Sequence, residues 1–249
     1  MSKIISLFIL LGMFSGASHG GVVEHYRIDF GSPPHTVGGT PATGSGPDTV
    51  SAVVFGQPVV AASYGPQLDE TLVFNPDLET MQQIRLDLNR GYDNYRIGFD
   101  LVTDALAGSD YNFAVLLDTD VTDTKSLNFH GSVGVRTFNP TQAPLDRARI
   151  LGPLSDGTLV HVEVEVDLLD NSWTASSTAF AGFSGSFDPV GTDLSSIRFS
   201  IAPWTGSTPD PTVFAAIDNI VVSSSTAPVV PTAWLLLVGL AGLLRYRYS

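Results

Sequence analysis

The stretch Val160-His161-Val162-Glu163-Val164-Glu165-Val166-Asp167-Leu168 decides the fold. Its apolar residues alternate strictly with polar ones. A period of two places Val160, Val162, Val164, Val166 and Leu168 on one face of a strand and His161, Glu163, Glu165 and Asp167 on the other. The same period recurs on both sides of it. Ile84, Leu86 and Leu88 alternate with Arg85, Asp87 and Asn89; Tyr95, Ile97, Phe99 and Leu101 with Arg96, Gly98 and Asp100; Ile197, Phe199 and Ile201 with Arg198 and Ser200. Further strands are predicted at 22–30, 50–55, 112–117, 133–138, 173–177 and 213–222. Turn signals separate them, among them Asn89-Arg90-Gly91, Ser155-Asp156-Gly157 and Asp170-Asn171. No ten-residue stretch carries a helical period. The reading is an all-β chain of roughly ten to fourteen strands, folded as one antiparallel sandwich of jelly-roll type. The loop-rich residues 31–48 fit a long early loop better than a linker.

Composition narrows the function. The 249 residues hold 25 acids against 12 bases, a formal net charge of -13. Phosphate binding needs clustered Lys and Arg, so nucleic acid is not an expected partner. The absence of Cys excludes disulfides, thiol catalysis, Cys-ligated metal sites and a lipoprotein anchor. No H-E-x-x-H, no G-x-S-x-G and no phosphate-binding Gly loop with Lys occurs.

The two ends read as addresses. Lys3, the apolar run 4–14 and the small residues Ser15, Gly16, Ala17 and Ser18 make residues 1–20 a signal peptide with a helical apolar segment. Residues 226–249 hold an apolar helical run, 229–244, closed by Arg245 and Arg247. Interfacial Trp234 and the two arginines fit a membrane helix with a cytoplasmic C-terminus. Between the ends, 21–225 forms the β-sandwich domain, with all 25 acids and nine of the bases.

The tail resembles a PEP-CTERM sorting signal. The residues that carry this are Pro231, Trp234, Gly239, Gly242, Arg245 and Arg247, with the Pro-Glu-Pro motif reduced to Val230-Pro231. The resemblance implies an exosortase-type processing enzyme as partner and transient anchoring in the inner membrane. It further implies a final place in the outer envelope or extracellular matrix of a Gram-negative, exopolysaccharide-producing bacterium. A retained membrane anchor is the other reading of the same tail.

The domain resembles concanavalin-like and carbohydrate-binding-module-type jelly rolls. The resemblance rests on Tyr26-Arg27-Ile28-Asp29-Phe30-Gly31, on Val164-Glu165-Val166-Asp167-Leu168 followed by Trp173, and on Ala216-Ile217-Asp218-Asn219-Ile220-Val221-Val222. It implies glycan binding or glycan cleavage. It also implies a structural calcium between first and last strands, which falls on Asp29 and Asp218.

The residues themselves give further candidates. Aspartates outnumber glutamates 20 to 5. Asp118, Asp120 and Asp123 crowd one loop and form a calcium candidate by residue type, without the Gly and closing Glu of an EF-hand. Loop aromatics suit the C–H faces of sugars, which singles out Trp204 and Tyr92 as ligand-binding residues. Trp173, inside a strand, reads as core. Glu163, Glu165 and Asp167 lie at spacings that glycosidase carboxylates use. Their order, Glu-x-Glu-x-Asp, departs from the Glu-x-Asp-x-x-Glu of laminarinase-type enzymes, and a solvated strand face explains them equally well. The expectation is therefore a non-enzymatic exported protein that binds polysaccharide or builds matrix. A sandwich glycosidase or polysaccharide lyase is the alternative.

Overall fold

The fold comes from a computed structural model that describes residues 21–64, 68–75, 81–88, 91–119, 124–139, 148–187, 193–204 and 208–225. The signal peptide, the sorting tail with its six marked residues, Asp120 and Asp123 lie outside the described residues. Among the described residues there is no helix, and hence none long and apolar enough to cross a membrane.

Fifteen strands are described: β1 (Val22–Ile28), β2 (Ala52–Phe55), β3 (Val59–Tyr64), β4 (Leu68–Phe74), β5 (Gln82–Asp87), β6 (Asn94–Asp104), β7 (Tyr111–Thr119), β8 (Lys125–His130), β9 (Gly134–Phe138), β10 (Ala148–Gly152), β11 (Val160–Asp167), β12 (Ser172–Ser177), β13 (Phe183–Ser186), β14 (Leu194–Pro203) and β15 (Phe214–Ser225). They form two sheets. The eight-stranded sheet runs β13-β12-β11-β6-β15-β4-β3, with β1 also paired to β15. The seven-stranded sheet runs β10-β9-β8-β7-β14-β5-β2. The fold is thus the all-β antiparallel sandwich that the alternation predicts.

The core lies between the sheets because each strand's apolar set faces inward. Val162, Val164 and Val166 of β11 are buried, and so are Ile97 and Phe99 of β6 and Phe199 of β14. Phe99 and Phe199 meet across the sheets edge to face, 5.2 Å between centroids, and Phe74 meets Phe113 at 5.6 Å. Trp173 is core, as expected.

Five strands exceed the predicted set: β3, β4, β8, β10 and β13. Two of them show why. All six residues of β8 are buried, and four consecutive residues of β4 are. β4, covered on both faces, loses clean alternation, and β8 alternates with only two apolar residues, Leu127 and Phe129. The remaining three are short or lie at sheet ends.

Candidate functional site

The pairing register sorts the outer face of the seven-stranded sheet into rows. One row reads Gln83, Ser200, Ala114, Asn128 and Arg136, across β5, β14, β7, β8 and β9. The next reads Ala202, Asn112, His130 and Gly134. A third reads Arg85, Arg198, Leu116, Ser126 and Phe138. These residues alternate with Ile84, Phe113, Phe129 and Phe199, which point into the core.

The tight β8–β9 connection holds His130 and Arg136 on one face. Gly131 donates its N–H to the Tyr111 carbonyl at 2.9 Å. A side chain there would meet the Leu106 and Ser109 carbonyl oxygens at 2.4 and 2.3 Å, so only glycine lets the chain turn this close. Gly134, at φ 95°, opens β9 in the left-handed region. Trp204 follows β14 directly. Its N–H donates to the Asp110 carbonyl at 2.7 Å, and the Tyr111 hydroxyl donates to the Thr208 carbonyl at 2.7 Å, fixing the chain beyond it.

These three side chains converge. The Trp204 indole meets the His130 ring at 4.8 Å, near perpendicular, and the Arg136 guanidinium lies over the indole at 4.3 Å. Trp204 is nevertheless 55% exposed, so ring surface remains open to solvent. Beneath it His130 is 1% exposed. The Ser132 N–H donates to its Nδ1 at 3.2 Å, which places the ring proton of a neutral imidazole on Nε2. Burial, and then the charge of Arg136, push the His130 pKa down, so the imidazole is neutral at pH 7. Burial also lowers the pKa of Arg136. His130 Nε2, Arg136 Nε, Gln83 Nε2 and Asn112 Oδ1 are all buried with no hydrogen-bond partner among the described residues. Buried polar atoms are rarely left so. A separate cavity of about 220 Å³, lined by Leu101, Phe129, Val135, Leu154 and Val160 among others, is apolar and lies on the core side of β8 and β9.

The other sequence candidates fall elsewhere. Tyr92 is partly buried and packs edge-on against His25 at 5.1 Å and Tyr95 at 6.2 Å. Asp193, just before β14, accepts from Tyr95 Oη at 3.1 Å and from Gly91 N at 3.0 Å. Trp204 stands past the other end of β14, about 30 Å away along a ten-residue strand. The structure therefore does not bring Tyr92 and Trp204 into one site. Asp118 accepts from Arg198 Nε and Nη2, both at 2.5 Å, from Ser196 Oγ at 2.8 Å and from Thr124 Oγ1 at 3.0 Å. Its oxygens already serve the chain's own donors.

The charge of Asp29 is felt at Asp218. Asp29 accepts from Gly31 N and Ser32 Oγ, and Asp218 accepts from Phe30 N at 3.4 Å. Asp218 is 7% exposed, and burial, with the charges of Asp29 and Asp100 adding to it, pushes its carboxyl up to about 6. Asn219 beside it takes a left-handed backbone, φ 51°, and donates to Asp100 Oδ2 at 2.8 Å. Among the described residues no three carboxylates or imidazoles are grouped as a metal site. Asp29 and Asp218 could supply two oxygens to a calcium ion, which would remove the like-charge penalty at Asp218.

The carboxylate stripe lies on the outer face of the eight-stranded sheet. Arg96 pairs with Glu163 at 2.8 Å and Glu165 at 3.5 Å, and His161 pairs with Asp100 at 2.7 Å. Asp167 accepts from the backbone of Leu169 and Asp170, both at 2.9 Å.

Solved structures share this architecture. A variant of the alginate lyase A1-II′ superposes with TM-score 0.50 at 11% identity, over 63% of this chain and 80% of its own. A Crh5 transglycosylase in complex with NAG superposes with TM-score 0.50 at 15% identity, over 71% and 79%. A sialidase matches 65% of this chain at 16% identity and TM-score 0.47, where the chain spans only 16% of the sialidase. No family model and no curated protein matches the sequence. At these identities the likeness shows the jelly-roll sandwich and nothing finer.

Sequence reasoning found Trp204 but missed His130, Arg136, Asn112 and Gln83. The signal was present in part: Ser126, Asn128 and His130 alternate with Leu127 and Phe129. What it lacked was strand order, which alone brings β5, β7, β8, β9 and β14 side by side.

Proposed function

We propose that this chain is an exported, non-enzymatic β-sandwich protein that binds polysaccharide on the outer face of its seven-stranded sheet. In this reading an exosortase-type enzyme sorts it through the C-terminal tail. It then acts in the outer envelope or extracellular matrix of a Gram-negative bacterium. The observation that carries the binding reading is the half-exposed Trp204 indole, braced by Arg136 and His130 above buried polar atoms that lack partners. An aromatic ring braced in this way offers an apolar platform to a sugar ring, and the half-buried Arg136 on it offers guanidinium N–H groups to the sugar's oxygens. The pairing of Glu163 and Glu165 with Arg96 supports a non-catalytic stripe, since a general acid needs a raised pKa and a substrate in reach. A structural calcium at Asp29 and Asp218 belongs to the same proposal, supported by the like charges that meet there.

The test is light scattering after size-exclusion chromatography, with residues 21–225 and the producing bacterium's exopolysaccharide. Both sheets and their buried core lie within these residues. Co-elution with polymer of unchanged length is expected, and Trp204→Ala should weaken it by about tenfold or more. Shortening of the polymer would establish an enzyme instead. Separate elution would leave a purely structural domain.

A further inference from the structure

The binding face holds Arg136, one of two described arginines, with Arg149, that pair with no described carboxylate. Acids outnumber bases 25 to 12, and most described arginines have carboxylate partners. Arg27 pairs with Glu24, Arg85 with Asp87, Arg96 with Glu163 and Glu165, and Arg198 with Asp118. Arg136 has none among the described residues. It is half-buried, it touches the Trp204 indole, and its Nε is buried without an acceptor.

The orphan atoms around it share a polarity. His130 Nε2 carries the ring proton, because Nδ1 accepts from Ser132. Gln83 Nε2 is an amide donor further along the row that ends at Arg136. Three of the four orphan polar atoms in these two rows are thus N–H donors, and Asn112 Oδ1 is the one acceptor. A half-buried guanidinium on an indole, ion-paired to no carboxylate among the described residues, asks for an anionic oxygen acceptor. A planar fork of N–H groups matches a carboxylate better than it matches a hydroxyl. The other carboxylates facing this sheet, Asp87 and Asp118, are held by Arg85 and Arg198. Asp110, whose charge is felt at His130, lies exposed beside it. The overall negative charge does not forbid an acidic ligand. Its repulsion is screened beyond about 8 Å at physiological salt, so groups in contact decide.

We infer that the polysaccharide bound here is acidic, with Arg136 reading a sugar carboxylate while its ring stacks on Trp204. This rests on the binding reading above and specifies its ligand as a polymer of uronic acids.

The experiment compares polygalacturonate with the same polymer after its carboxyls are reduced to alcohols, by isothermal titration at 0.15 M salt with residues 21–225. Native protein should bind the acidic polymer at least about tenfold more tightly than the reduced one. Arg136→Gln should abolish that preference, weakening the acidic polymer at least about tenfold more than the reduced one. Arg136→Lys, which keeps the charge and loses the fork, should fall between. Melting temperatures of both variants are checked against native protein to exclude misfolding. Equal affinity for both polymers, or an Arg136→Gln variant that still discriminates, overturns the acidic-ligand assignment and leaves polysaccharide binding standing. Preference for dextran sulfate over polygalacturonate also overturns it, by moving the anion from carboxylate to sulfate. Failure to bind either polymer or the bacterium's own exopolysaccharide removes the binding reading and this inference together.

Discussion

The outer faces of the two sheets are built from the same kinds of residue and end in opposite states. On the eight-stranded sheet the exposed Arg96 is answered by Glu163 and Glu165, and the His161 ring hydrogen-bonds Asp100. On the seven-stranded sheet Arg85 and Arg198 are answered by Asp87 and Asp118, but around Trp204 buried polar atoms have no partner among the described residues. Paired, solvated charges on a strand face keep a protein soluble and discourage edge-to-edge association. Buried donors without acceptors destabilise a fold by roughly 1–3 kcal/mol each unless something completes them. The contrast teaches that the density of charge is a poor guide to function in this chain, and that missing partners are a better one.

The largest expected effect is one the two faces share. Phe199→Ala removes a fully buried ring that meets Phe99 across the sandwich, and it should lower unfolding stability by about 3–5 kcal/mol in urea titration. A loss under about 1 kcal/mol would mean the sheets are not packed as described.

The next effect concerns the one place near the eight-stranded face where like charges meet. Burial raises the Asp218 carboxyl from its ordinary 3.8 to about 6, so the folded protein holds a proton that the unfolded chain has released. Stability then falls as pH rises from about 4 to about 6, and the full penalty, at most about 3 kcal/mol, is present above that window. Asp218→Asn should therefore raise the melting temperature at pH 7.5 and change it little at pH 4. Calcium at pH 7.5 should raise the native melting temperature and leave the variant's unmoved. A variant less stable than native protein at pH 7.5 in chelator would contradict the buried charge.

A smaller pair of effects breaks the comparison directly. Asp118→Ala strands the Arg198 guanidinium and should destabilise by about 2 kcal/mol, since four hydrogen bonds converge on that carboxylate. Glu163→Gln, on the other face, should shift stability by less than about 0.5 kcal/mol. Equal losses in chemical denaturation would erase the distinction between the two faces.

The fold was legible because its central strands advertise it. Val160 to Asp167 in β11 and Tyr95 to Leu101 in β6 keep the alternation that a half-buried sheet requires. β8 was barely legible, since its alternation rests on only two apolar residues, Leu127 and Phe129. The site was half legible. Trp204 announces itself beside Pro203 at a strand end, and the structure leaves its indole open. Tyr92 looked equally suitable, but contacts with His25 and Tyr95 fix it into the sandwich. Arg136 and His130 are inconspicuous in the sequence. Their significance is a property of neighbours far along the chain: Trp204 lies 68 and 74 residues away from them. Charge pairing follows the same rule, because Arg96 and Glu163 meet only through the β6–β11 register.

The most direct measurement uses the two tryptophans of residues 21–225. Trp173 is buried and Trp204 is exposed, so acrylamide quenching of indole fluorescence reports chiefly on Trp204. As exopolysaccharide is added, quenching should fall toward the level of the Trp204→Phe variant, in step with complex formation seen by light scattering. Complex formation with quenching unchanged would place the ligand on another surface and contradict the account.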